Sequence, residues 1–179
     1  MADIMSREMR SRVMSRNRGK NTTPERYLAA LLRAAGLAFK RHDRTLPGCP
    51  DFVFQKRKVA VFVNGDFWHG WRFPIWQHRM ADFWRAKIAG NRARDARSCR
   101  RLSTLGWKVV KLWEHQVESD VVACVARIAR TLGESGIDWR AVNARRLRMP
   151  VLKRRNRLPK PAVGNGPMKR DVKEKRSSS

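Results

Sequence analysis

Asp51 and His69 stand near the two ends of the segment PDFVFQKRKVAVFVNGDFWH, an acid and an imidazole separated by two runs of β-type residues. If the two runs pair, a carboxylate at the start of the first lies beside the backbone near Val63 and Asn64. That carboxylate and the Val63 carbonyl can then share a hard divalent cation such as Mg²⁺, which asks only for oxygen donors and water. An imidazole nearby, with an ordinary pKa near ~6.5, can take a proton from water as it attacks a phosphate. Pro50 imposes an extended approach on Asp51. On local pattern alone, Asp51 also fits an ordinary turn aspartate after LPGCP, and His69 a loop histidine bonded to a carbonyl.

Other candidates are read the same way. Glu25 either closes a capping box begun by Thr22 or serves the site. Asp95 is the single acid in NRARDARS, either in a solvated ion pair with Arg92, Arg94 or Arg97 or, with Glu25, holding metal-bound water at the edge of the site. Phe67 and Trp68 are adjacent and point differently, which suits apolar wedges that open a base stack, whereas Trp71, Phe73 and Trp76 suit an aromatic cluster that closes a loop. Arg92 and Arg94, with Arg85, Arg97, Arg100 and Arg101, form a helix face suited to phosphate contacts or simply to solvent.

The elements that must position these groups follow from periodicity. Thr22, Thr23 and Pro24 start a helix whose stripe Leu28, Leu31, Leu32 and Ala35 ends at Gly36. Strands are expected over Asp51 to Phe54 and Val59 to Val63, joined by a QKRK turn, and over 107–113; helices are expected over 81–105 and 118–132. Residues 66–80 fit neither period. The order helix, strand, strand, helix, strand, helix describes an α/β sandwich. Residues 1–21 are basic, with Met5, Met9 and Val13 at helical spacing; 22–142 form the folded unit; 143–179, rich in Lys, Arg, Pro and Gly, are expected to be a disordered basic tail.

Composition narrows the partner. In 179 residues, Lys and Arg number 41 against 15 acids, a formal net charge of +26, which favours a polyanion, nucleic acid ahead of a membrane surface. No apolar run reaches the ~18 residues of a membrane span and the N-terminus has no signal core, so a soluble intracellular protein is expected. Cys49, Cys99 and Cys124 are odd in number and lack CxxC spacing, so they read as free thiols.

With these residues assembled, the chain resembles the very-short-patch repair (Vsr) endonuclease family of the PD-(D/E)XK nuclease superfamily. The resemblance spans about Ser6 to Leu132 and is carried by TTPERYLAALLRAAGLAF, LPGCPDFVF, KVAVFVNGDFWH, FWRAKIAGNRARD and LGWKVVKLWEH. It implies a three-layer restriction-endonuclease-like sandwich with a central mixed β-sheet flanked by helices. It also implies a Mg²⁺-dependent DNA mismatch repair endonuclease that nicks one strand at T:G mismatches. Asp51 would hold the metal with the Val63 carbonyl, His69 would be the general base, and Glu25 and Asp95 would orient water at the metal. Phe67 and Trp68 would intercalate beside the mismatch, and the N-terminal segment would pack across the DNA.

Two departures from the family pattern stand out. Members often hold a structural zinc on three cysteines and a histidine, but Asp66 and His115 occupy two of the cysteine positions here, so no zinc is expected. Instead an Asp66 to His115 contact, with packing of Trp71, Phe73 and Trp76, is expected to hold the loop. Asn64 stands where many members carry histidine or aspartate. The expected partner is mismatched double-stranded DNA, bound by a monomer in the cytoplasm at the nucleoid. The alternatives are a restriction-type or other repair endonuclease of the superfamily without T:G preference, and a DNA-binding protein without catalysis.

Overall fold

Helix α1 (Thr23–Ala34) begins as its residues dictate. The Thr22 hydroxyl caps the Glu25 amide, while Glu25 Oε1 accepts from the Thr22 amide at 3.3 Å and the Thr22 hydroxyl at 2.8 Å. Pro24 adds a preset φ in the first turn. At the other end Gly36, at φ +74°, takes the left-handed turn that the stop requires. The computed structural model describes residues 19–151 together with Glu8. The expected N-terminal helix around Met5, Met9 and Val13, and positions 152–179 of the expected tail, lie outside the described residues.

Strands β1 (Lys40–Arg41), β2 (Phe52–Phe54), β3 (Val59–Asn64) and β4 (Lys108–Trp113) form one sheet in that order. β1 pairs with β2 and β2 with β3 antiparallel; β3 pairs with β4 parallel, with Val59 opposite Lys108 and Asn64 opposite Trp113. The QKRK turn is one turn of 3₁₀ helix, Gln55–Arg57, closed by Lys58 at φ +46°. The parallel step requires a long crossover, which holds α2 (Phe73–Trp76) and the 23-residue α3 (Asp82–Thr104). After β4 come α4 (Glu114–Ser119), α5 (Val121–Leu132) and α6 (Trp139–Leu147).

Alternation along the strands builds three layers. Phe52, Phe54, Val59, Val61, Val110 and Leu112 pack on one face against Leu28, Leu31 and Leu32 of α1, Val125 and Ile128 of α5, and Val142 of α6. Val53 and Ala60 face the other way, onto Leu102 of α3 and Trp107. This is the expected three-layer sandwich around a mixed sheet.

The structure corrects four details. A fourth strand, β1, precedes those expected. The segment 118–132 is two helices, because Asp120 breaks the chain at ψ 85° and caps α5 by accepting from the Ala123 amide at 2.9 Å. Short helical turns occupy part of 66–80. Helix α6 crosses the expected boundary at 142: Asp138 caps it through the Ala141 amide at 2.9 Å, Val142 is fully buried, and the Tyr27 hydroxyl donates to the Pro150 carbonyl at 2.9 Å. No helix among the described residues is long and apolar enough to cross a membrane.

Candidate active site

Pairing of β1 with β2 places the residue after β1 beside the residue before β2. Arg41 is opposite Phe52, so His42 comes to lie next to Asp51, and the His42 amide donates to the Asp51 carbonyl at 3.3 Å. His42 takes φ +48°, a left-handed conformation that turns the chain here. The buried Asp43 stabilises the turn by accepting from the amide and hydroxyl of Thr45 at 3.0 and 2.7 Å.

Asp51 is held on both sides. Its amide donates to the Val61 carbonyl at 3.0 Å, and its Oδ2 accepts from the Val63 amide at 2.7 Å. Its Oδ1 is 3.5 Å from His42 Nδ1, and His42 Nε2 is 3.3 Å from Glu25 Oε2, which Arg41 also contacts at 3.0 Å. Ligand atoms of Glu25, His42 and Asp51 thus lie within 4.8 Å of one another. The buried His42 Nε2 makes no hydrogen bond despite its proximity to Glu25. Burial lowers the His42 pKa, so its imidazole is neutral and keeps a lone pair.

Two carboxylates, an imidazole nitrogen and the neighbouring backbone of Val63 make a donor set that fits a divalent cation. The oxygens suit Mg²⁺, and the nitrogen adds a preference for Mn²⁺-like ions. Burial, opposed by the Val63 N–H and reinforced by Glu25, pushes the Asp51 carboxyl from an ordinary 3.8 up to about 7. A cation bound there would replace the proton.

This shift has a measurable consequence in metal-free protein. Between pH 4 and 7 the native chain retains a proton at Asp51 that the unfolded chain has lost. The contribution of Asp51 to stability therefore falls as pH rises through that window and levels off above it. Asp51→Asn removes this contribution, and at pH 8 it exceeds wild type by roughly 2 to 4 kcal/mol. Denaturant unfolding of both proteins in EDTA at pH 5 and 8 checks this; an equal difference at the two pH values contradicts it.

His69 is positioned from the other side of the sheet. One face of α3 grips the loop after β3: Asn91 donates to the Trp68 carbonyl at 2.9 Å, Arg92 to the Gly70 carbonyl at 2.8 Å, and Asp95 Oδ2 meets His69 Nδ1 at 2.6 Å. Gly70 is required at the contact, since at φ +67° a Cβ would lie 2.8 Å from Ile88 Cγ2. With Nδ1–H donated to Asp95, His69 Nε2 carries the lone pair. Asp95 thus pairs with His69 and not with Arg92, Arg94 or Arg97 beside it on the helix.

Glu25, His42, Asp51, Val63, Trp68, His69 and Asp95 line one cavity of about 260 Å³. Of the sequence candidates, Phe67, Arg92 and Arg94 lie outside it. His42 was not among the candidates; its position depends on a two-residue strand that carries no periodic signal.

The aromatics form two groups. Phe67 stacks on Trp76 at 6.3 Å and 13°, and meets Trp84 of α3 at 5.9 Å; Trp68 meets Trp84 at 5.8 Å. Phe67 therefore packs against Trp76, one of the residues expected to close the loop. Trp71 lies apart, on Trp113 and His115 at 5.0 and 4.7 Å. His115 Nδ1 meets Asp66 Oδ1 at 2.7 Å, tying the loop to α4 as the substituted cysteine positions suggested. Arg92 is committed to Gly70 and sits over the Phe73 ring at 5.6 Å, whereas Arg94 is exposed and bonded to Asn91 Oδ1.

Comparison with known proteins points the same way. The family model described as DNA mismatch endonuclease Vsr matches residues 2–74. The chain is similar to the type II nicking enzyme V.XorIIP of Xanthomonas oryzae pv. oryzae, 41% identical over 137 residues, covering 75% of this chain and 100% of that protein. It is similar to the type II nicking enzyme V.NmeDIP of Neisseria meningitidis serogroup C, 37% identical over 136 residues, covering 73% of this chain and 90% of that one. It is also similar to the DNA mismatch endonuclease Vsr of Escherichia coli K12, 40% identical over 117 residues, covering 64% of this chain and 74% of that one.

Proposed function

The chain belongs to the Vsr family of DNA mismatch endonucleases, and from that premise we propose that it nicks one strand of duplex DNA at a T:G mismatch by Mg²⁺-dependent hydrolysis. The observation that carries the hydrolytic reading is the convergence of two independent assemblies on one cavity. The Asp51, His42 and Glu25 donor set enters from β1, β2 and α1, and the His69 and Asp95 pair from the loop and α3.

In this reading the Asp51 carboxylate and the Val63 carbonyl hold the cation, with Glu25 fixed beside them by Arg41. Bound there, Mg²⁺ supplies positive charge that offsets charge on the scissile phosphate and the leaving 3′ oxygen. His69 Nε2 takes the proton of the attacking water, and Asp95 keeps the ring in the tautomer that can do so. Glu25 orients water at the edge of the site. Phe67 and Trp68, backed by Trp76 and Trp84, enter the stack beside the mismatch. A mismatched step costs less to open than a paired one. Arg94 and the wider positive charge contact phosphates. The protein acts as a monomer on cytoplasmic DNA at the nucleoid.

Nicking of T:G, T:A and C:G duplexes of one sequence, each with Mg²⁺ and with EDTA, tests this. Cleavage of one strand of the T:G duplex alone, lost in EDTA, is expected. Equal nicking of T:A would favour a sequence-directed nicking enzyme, in line with the names of V.XorIIP and V.NmeDIP. Tight, salt-sensitive binding without cleavage would reduce the protein to a DNA binder.

A further inference from the structure

Strand β4 reads KVVKLW, and its Val110 and Leu112 point into the helical core of α1 and α5. Alternation sends Lys111 to the opposite face with Val109, the face that carries Asp51 and Val53 on β2. Lys111 pairs in register with Phe62 of β3, and both side chains line the cavity that holds Asp51 and His69. On the other side of β3, Asp51 is tied to the Val61 carbonyl and the Val63 amide. Asp51 and Lys111 therefore flank the same rung of β3. Two strand spacings put their backbones about 10 Å apart, enough for a phosphate group between a short acid and a long amine.

Four acids line the cavity, Glu25, Asp51, Asp95 and Glu114. Glu25 is paired with Arg41, Asp95 with His69, and Asp51 with the Val63 amide. The Lys111 side chain forms no hydrogen bond or ion pair with the described residues, although it is half-buried on β4, the strand at the edge of the sheet. Half-buried lysines are ordinarily paired or reach out to solvent along an apolar stem. This one lines a site that, on the proposed function, receives a phosphodiester.

We infer that Lys111 is a catalytic residue, its ammonium contacting a non-bridging oxygen of the scissile phosphate and stabilising the charge that builds there as water attacks. The inference rests on the endonuclease reading of the site. A fixed cation aimed at developing charge acts mainly in the transition state, so its loss lowers kcat more than it raises KM.

The test is single-turnover nicking of the mismatched duplex by full-length wild type, Lys111→Met, Lys111→Gln, Lys111→Arg and Asp51→Asn, with duplex affinity and thermal melting measured alongside. Lys111→Met and Lys111→Gln are expected to melt like wild type and to lose about 10²-fold in kcat with KM within about threefold; Lys111→Arg, which keeps the charge, recovers at least about tenfold. If both uncharged variants nick within threefold of wild type, or if the loss lies wholly in KM, Lys111 is not catalytic. If that happens while Asp51→Asn is inactive, this inference alone fails. Should wild type not nick, or Asp51→Asn nick normally, the reading of the whole site fails with it.

Discussion

Asp51→Asn is expected to fold, to bind mismatched duplex, and to nick it at least about 10³-fold more slowly than wild type, the equivalent of several kcal/mol of lost electrostatic stabilisation. The asparagine amide oxygen can still accept from the Val63 N–H, so the β2 to β3 contact survives. What disappears is the negative charge that binds the cation. The same substitution removes the buried carboxylate whose pKa stands near 7, so the variant should resist denaturant better than wild type at pH 8 in EDTA. An inactive protein that is also more stable cannot owe its inactivity to unfolding. Paired rate and denaturation measurements therefore isolate the charge. Nicking within tenfold of wild type would remove Asp51 from the metal site.

The features legible in the sequence are those set by near neighbours. The capping box of Thr22 and Glu25, the α1 stripe with its Gly36 stop and the β2 to β3 hairpin depend on contacts a few residues apart. The family motifs added the mixed sheet and three layers, which no local period encodes. Misreadings arose where a contact crosses the chain. β1 is two charged residues and has no alternation of its own, so His42 could not be placed against Asp51. Asp95 looked equally suited to the arginines beside it, because only the fold turns that face of α3 onto the loop at His69. The break at Asp120 was hidden by an apolar stripe continuing past it, although an aspartate before three small or β-branched residues is a fair cap signal.

The scarcity of acids in so basic a chain is itself informative. Asp120 and Asp138 cap helices, Asp43 ties a turn, Asp66 holds His115, and Glu134 meets Arg57 at 2.9 Å. Asp82 pairs with Arg85. Four more acids, Glu25, Asp51, Asp95 and Glu114, line the cavity with two histidines. An overall surplus of cations draws the polyanion in, while the local anions fix backbone, an imidazole or an arginine, or line the cavity. Arg92 stabilises the loop through the Gly70 carbonyl and the Phe73 ring, whereas Arg94 bonds Asn91 on its own helix.

His69→Ala is expected to lower nicking by about 10² to 10⁴, the range for loss of a positioned general base, with Mg²⁺ and duplex affinity nearly unchanged. Asp95 acts through the imidazole, so Asp95→Asn should cost less, about tenfold, by weakening the bond that orders Nδ1. Because the two residues form one unit, the double variant should be no slower than His69→Ala alone. Rates for the four proteins under single-turnover conditions decide this. Multiplying losses would mean that Asp95 reaches the reaction by its own route, for example by ordering water at the cation. In that case the 2.6 Å contact would serve only to hold the loop. The outcome bears on more than these two residues, since Asn91 and Arg92 grip the same loop from the same helix face. If His69 is the base, α3 is the part that aims it.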